Sequence, residues 1–259
     1  MTIIDLNCDM GEGFGAYSIG DDAAMLKVVT SANIACGFHA GDPNVIDTTL
    51  RLAAENKVSP GAHPGFMDLY GFGRRAIRGE RPEDIERQTI YQIGAISALA
   101  EAAGWSIQHV KPHGALNNIA CVDEDLAMAL ARAVATVDRN LIFVAMPGTA
   151  MERAGERMGL PVAREIFADR AYDDNAMLVS RSQPGSVLHD QEFAAQRVLE
   201  MVETQTITSV NGVKHKVRID TVCVHGDHPG AVEMARAVRA KLEQAGVTLA
   251  SMREVLKHR

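Results

Sequence analysis

Leu141-Ile142-Phe143-Val144-Ala145, followed by Met146-Pro147-Gly148-Thr149, is an unbroken apolar run that ends abruptly in turn chemistry. A strand with no polar face is expected inside a parallel sheet covered on both sides. Outward from it, strand-length apolar segments recur at Thr2–Cys8, Ala32–Cys36, Val58–Ala62, Ile107–Lys111, Val162–Phe167 and Val217–Val224. Helical patterns separate them. Asp42-Pro43 offers a capping oxygen and a first-turn proline for a helix through Glu55. Pro82 opens the longest helix, running to Ala103 before Gly104, with the acidic first turn Glu83-Asp84. Further helices are expected at Asp123–Val137, Thr149–Met158, Asp190–Glu203 and Ala231–Ala245, with short pieces near Asp21–Val29 and Ser251–Leu256.

Repeated strand–helix alternation leaves two architectures, an open doubly wound sheet or a closed (β/α) barrel. Distinctive polar residues follow strand after strand around the whole chain, which favours the barrel. An open sheet concentrates them near one switch point. The alternation breaks once, where Thr206–Val210, Asn211-Gly212 and Val213–Val217 read as a hairpin with a two-residue type I′ turn. Residues 1–259 are expected to form a single barrel domain with this small β-hairpin inserted around 206–217.

The 259 residues carry 33 acidic against 26 basic side chains, a formal charge of −7, which argues against a dedicated nucleic-acid binder. No basic-then-apolar leader opens the chain and no apolar run approaches the roughly 20 residues of a membrane span. The four cysteines, Cys8, Cys36, Cys121 and Cys223, are dispersed without CxxC spacing. A reducing, cytoplasmic setting is expected, with no membrane partner.

Candidate chemistry gathers where strands end. Asn7-Cys8-Asp9-Met10-Gly11-Glu12 closes the first strand and His39 follows the second between Gly37 and Gly41. His63 ends the third, with Arg74 and Arg75 beyond it. In His109-Val110-Lys111-Pro112-His113, a period of two turns Lys111 and His113 to one side. Asp169-Arg170 follows the sixth strand, and Tyr172, Asp173, Asp174 and Arg181 make a polar segment around Ala176-Met177-Leu178-Val179. His225 and Asp227 leave the last. Barrel active sites are built from such positions. The set suits proton transfer and charge stabilisation by Asp9, His39, His63, Lys111, His113, His225 and Asp227. Asn7, Glu12, Arg74, Asp169 and Arg170 are candidates for holding substrate or phosphate. Asp9, His39, His63 and His113 are candidates for a divalent metal such as Mg, although HExxH spacing is absent. There is no GxxxxGK[ST] phosphate loop and no GxSxG nucleophile elbow.

Asp5 through Gly13, Asn33 through Asp42, Gly61-Ala62-His63-Pro64, Val110 through Leu116, Phe167-Ala168-Asp169-Arg170 and Val224 through Gly230 together closely resemble the LamB/YcsF family along essentially the full chain. The family's usual tyrosine after Gly-Ala-Leu is Asn117 here. The resemblance implies a distorted seven-stranded (β/α) TIM-like barrel related to the glycoside hydrolase/deacetylase superfamily. It also implies ATP-dependent cleavage of 5-oxoproline to glutamate, ATP being a co-substrate, in concert with separate B and C subunits. Two other functions fit the residues themselves. One is a metal-dependent amidase or deacetylase of small N-acylated compounds or sugars. The other is a non-catalytic small-molecule-binding subunit.

Overall fold

The computed structural model describes residues 2–259. Its elements, in chain order, are β1 (Ile3–Met10), α1 (Asp22–Met25), β2 (Ser31–Ala35), α2 (Pro43–Glu55), β3 (Ser59–His63), α3 (Pro82–Ala102) and β4 (His109–Val110). There follow α4 (Gly114–Ala120), α5 (Glu124–Val137), β5 (Ile142–Ala145), α6 (Ala150–Arg157) and β6 (Val162–Phe167). The chain ends with α7 (Gln191–Thr204), β7 (Thr206–Thr208), β8 (Lys214–Lys216), β9 (Thr221–Val224), α8 (Ala231–Gln244), β10 (Thr248–Leu249) and α9 (Met252–Lys257).

Strands β1-β2-β3-β4-β5-β6-β9 pair in parallel, and β9 returns to β1 with Leu6 opposite Val222. That pairing closes a seven-stranded barrel and decides against the open sheet. β10 adds a short edge beside Ile3 and Ile4. Ile4, Leu6, Cys8 and Met10 alternate outward along β1 into the apolar layer beneath the helices. Asp42 caps α2 by accepting from the amides of Asn44 and Val45 at 2.8 and 3.1 Å. Among the described residues no helix is long and apolar enough to cross a membrane.

Three local departures from the sequence reading have clear causes. The fourth strand pairs only over His109–Val110. The amides of Lys111 and His113 turn to Ala62 and Pro64, so Pro112 falls on the β5 side, where it has no N–H to extend the ladder. His113 then occupies the N-cap position of α4, without a side-chain capping bond, and the periodicity does not reveal this helix. In the seventh, Val217 bonds Gln205 and finishes the hairpin, so barrel pairing starts only at Thr221. The hairpin turn is also longer than two residues. Gly212 donates to Ser209 and Ser209 to Val213, and of Asn211 and Gly212 only Gly212 has positive φ, +84°. This is a type I turn with a glycine bulge. Asp174 holds it, accepting from Ser209 Oγ and Asn211 Nδ2 at 2.5 and 3.0 Å.

Candidate active site at the barrel mouth

The inward positions of β1 are Asp5, Asn7 and Asp9, and all three are buried. Where many barrels stack branched apolar side chains, this one carries a hydrogen-bonded polar column. Asp5 accepts from the hydroxyls of Ser31, Thr30 and Thr221 at 2.6, 2.7 and 2.5 Å. Burial nevertheless raises its pKa to about 6. One layer up, Asn7 Nδ2 donates to Thr221 Oγ1 and Glu165 Oε1, and its Oδ1 accepts from Asn33 at 2.7 Å. Asn33 also donates to Asp9 at 2.8 Å and accepts from His109 Nε2 at 2.7 Å. Burial, with the nearby Lys111 charge, brings His109 down to about 3, so it serves as a neutral donor.

Lys111 crowns this column. Its Nζ lies 2.8 Å from Asp9 Oδ1, 3.0 Å from Glu165 Oε1 and 3.0 Å from Cys223 Sγ. Burial works against the ammonium, but Asp9 above all holds its pKa well above the ordinary value. Burial likewise works against the Asp9 carboxylate, yet His63 and Lys111 keep it well below the usual range. Glu165 is shifted up by burial despite Lys111. Glu165, visible in the sequence as a charged residue of the sixth strand beside Arg164, is the one of the two that the strand buries in the barrel.

Above Lys111 the mouth divides. On one side stand Glu12, His39, His63 and His113, whose donor atoms all lie within 4.8 Å of one another. Glu12 Oε1 is 3.3 Å from His39 Nε2 and 3.7 Å from His113 Nε2. Burial, reinforced by Asp9 and Asp227, pushes the Glu12 carboxyl well up, and burial with the neighbouring imidazoles pulls His39 and His113 well down. His63 Nδ1 is 2.6 Å from the Lys111 carbonyl, which can only accept, so Nδ1 carries the hydrogen and Nε2 faces Asp9 Oδ2 at 3.3 Å. Glu12 thus joins the three histidines as a fourth donor, and Asp9, expected beside all three, contacts His63. Gly11, at φ +65°, turns the chain so that Glu12 comes back over the mouth, while Asp9 stays with Cys223 and His225.

On the other side, His225 Nδ1 donates to Asp169 Oδ2 at 2.7 Å, and His225 Nε2 lies 4.0 Å from Asp9 Oδ2. Against the effect of burial, His225 draws the Asp169 pKa down to about 2. The His225 ring lies on Phe167, centroids 5.4 Å apart. Asp227 pairs with Arg74 at 2.6 Å and orients no histidine. Arg75 is turned away, onto Asp68.

A cavity of about 550 Å³ opens above these groups. Asp9, His63, Lys111, His113, His225, Arg74 and Arg170 line it. Asn7, Glu12, His39, Asp169 and Asp227 do not. Asn7, His39 and Asp169 have no exposed surface at all. Gln92 lies on the buried face of α3, seven residues after Ile85 and four before Ile96, where its polarity hides it from a search for apolar positions. It accepts from Gly65 N at 2.9 Å and donates to Gly65 O at 3.0 Å, pinning the loop after His63.

A LamB/YcsF family profile matches residues 4–257. The chain is 55% identical over 247 residues to the A component of a 5-oxoprolinase from Rhodopseudomonas palustris, covering 95% of this chain and 97% of that one. A lactam utilization protein from Thermus thermophilus superposes with a TM-score of 0.91 at 46% identity, over 96% of this chain and all, 100%, of that one. The catalytic domain of a peptidoglycan N-acetylglucosamine deacetylase from Eubacterium rectale shares the fold alone, with a TM-score of 0.50 at 12% identity over 96% and 88% of the two chains.

Proposed function

The chain belongs to the LamB/YcsF family, and we propose that it is the lactam-opening A component of an ATP-dependent 5-oxoprolinase. It would convert 5-oxoproline to glutamate with ATP as co-substrate and subunits B and C as partners. One observation carries this reading. In a chain 55% identical to a 5-oxoprolinase A component, the Asp169–His225 and Asp9–Lys111 pairs converge on one cavity.

A lactam resists water because its nitrogen lone pair is delocalised into the carbonyl. Transfer of the ATP γ-phosphoryl group to the lactam oxygen gives an imidate whose carbon is open to attack. Asp169 accepts the Nδ1 hydrogen of His225, leaving the lone pair on Nε2 to take a proton from water. Attack opens the C=N bond onto the ring nitrogen, while Lys111, kept charged by Asp9, balances the negative charge of the phosphoryl oxygens on the attacked carbon. The proton on His225 then passes to the ring nitrogen as the amine leaves. A second water hydrolyses the resulting acyl phosphate to glutamate and phosphate.

The test is reconstitution. The chain combined with B, C, ATP and 5-oxoproline should form glutamate and ADP in equal amounts, and the chain alone should form neither. ATP-independent ring opening by the isolated chain overturns the reading.

The Glu12–His39–His63–His113 donor set favours a second reading, a metal-dependent amidase or deacetylase. The residues fit a divalent ion. His39 Nδ1, His63 Nε2 and His113 Nδ1 are buried without a hydrogen-bond partner, and the Lys111 carbonyl fixes the His63 tautomer as metal ligands require. Imidazoles in this number suit zinc or another first-row ion better than Mg. Such an ion supplies Lewis-acid activation of a carbonyl or phosphoryl oxygen when bound. Less than stoichiometric metal in the purified protein, with activity indifferent to chelation, removes this reading.

A further inference from the structure

Arg170 lines the cavity but is only 4% exposed, and among the described residues no carboxylate lies within ion-pair distance of it. Its guanidinium is tethered from behind, Nε donating to Ser186 O at 3.3 Å and Nη2 to Val179 O at 2.6 Å. Asp169, next to it in the chain, is committed to His225. Arg181 lines the same cavity, makes no ion pair among the described residues, and its charge adds to that at Arg170. The other two cations of the cavity are neutralised, Lys111 by Asp9 and Glu165 and Arg74 by Asp227.

A buried guanidinium without a counter-ion is unfavourable, and a second positive charge beside it makes it more so. Both are relieved when an anion enters. A planar guanidinium receives a carboxylate through two parallel N–H bonds, a geometry that a lone ammonium does not offer. Met177 and Leu178, from the same segment, line the cavity with apolar surface suited to ring methylenes.

Resting on the 5-oxoprolinase reading, we propose that Arg170 and Arg181 form the receptor for the substrate's carboxylate and so restrict the site to lactams bearing an acid group. The alternative anion is the phosphoryl group of the activated lactam. A carboxylate is charged from binding to release, so its partner is best held fixed throughout, as the two carbonyl tethers hold Arg170. Charge that appears only as bonds change falls to Lys111, beside His225 at the reacting end.

The experiment uses the reconstituted complex with ATP, 5-oxoproline as substrate and 2-pyrrolidone as a neutral competitive probe. Arg181→Gln should raise KM for 5-oxoproline at least tenfold, with kcat within about threefold and the 2-pyrrolidone inhibition constant little moved. Arg170→Lys should raise KM further. If losing the tethers unfolds Arg170→Lys, the exposed and unpaired Arg181 carries the test by itself. Unchanged KM in Arg181→Gln overturns the receptor, as does a fall in kcat at constant KM, which would place the guanidinium on the phosphoryl group. A wild-type complex without turnover counts against the 5-oxoprolinase reading instead. The receptor is then read from direct binding to the full chain. Preference for 5-oxoproline over 2-pyrrolidone that Arg181→Gln abolishes supports it, and equal affinities overturn it.

Discussion

The imidazoles of His39 and His113 lie face to face, ring centroids 3.8 Å apart and planes 5° from parallel. Both are buried, and burial together with neighbouring imidazoles favours their neutral forms. Each ring turns its Nε2 towards Glu12 Oε1, at 3.3 and 3.7 Å, which gathers imidazole and carboxyl donors at one point. Titration of metal-free protein with Co²⁺ should therefore give a stoichiometric complex with visible d–d absorption. His113→Phe retains the stack but removes both nitrogens. It should leave the far-UV circular dichroism unchanged and weaken Co²⁺ binding by about tenfold or more. Equal cobalt spectra for the two proteins would count against the cluster as a metal site.

Lys111→Met tests the buried column. Lys111 separates Asp9 from Glu165, so its loss leaves two buried carboxyls with no cation between them. The sequence suggests that methionine, keeping the apolar stem, spares folding. The structure argues otherwise. Breaking such a pair costs about 3–5 kcal/mol, and urea unfolding near pH 8 should register it. Adding Glu165→Gln should recover part of the loss, and a double mutant no more stable than Lys111→Met would contradict the assignment.

Asp169→Asn removes the acceptor that fixes the His225 tautomer while preserving shape. Turnover in the reconstituted complex should fall by about 10²–10⁴-fold, with KM little changed. Because the Asp169 pKa is about 2, its own ionisation should leave no limb in the wild-type pH–rate profile above about pH 4.

Asp5 carries a pH signature in stability. Its pKa is about 6 when folded and 3.8 when free, so between these values the folded chain binds the extra proton. Its contribution to stability is therefore greatest below about pH 4 and declines as pH rises through 6, by about 3 kcal/mol in all. Asp5→Asn lacks this slope, and its stability relative to wild type should improve by that order between pH 4 and 7. Parallel curves from chemical unfolding would contradict the shift.

Gly73 sits at φ +62°, and a Cβ there would approach His113 Nδ1 to 2.6 Å and His39 Cβ to 2.7 Å. Gly73→Ala should cost about 1–3 kcal/mol through backbone strain and displacement of the stacked rings. Gly94, within α3, has open space where its Cβ would stand. Gly94→Ala should stabilise by about 0.5–1 kcal/mol. Thermal melts of both variants provide the comparison.

Much of this protein is written locally. The apolar Leu141–Ala145 run, the Asp42 cap and the long helix from Pro82 each depend on residues within a few positions of one another, so side-chain periodicity and capping chemistry suffice to read them. The alternation Asp5-Leu6-Asn7-Cys8-Asp9 likewise determines that one face of β1 is polar. Tertiary structure decided what that face meets. Barrel closure brings β9 beside β1, more than two hundred residues away along the chain, and only then do Thr221, Asp5 and Asn7 share hydrogen bonds. The same closure places Lys111 between Asp9 and Glu165, gives Asp169 rather than Asp227 to His225, and leaves Arg170 without a carboxylate. Charge pairing acts through space over a few ångströms, and the order of residues along a chain does not specify which strand ends come that close.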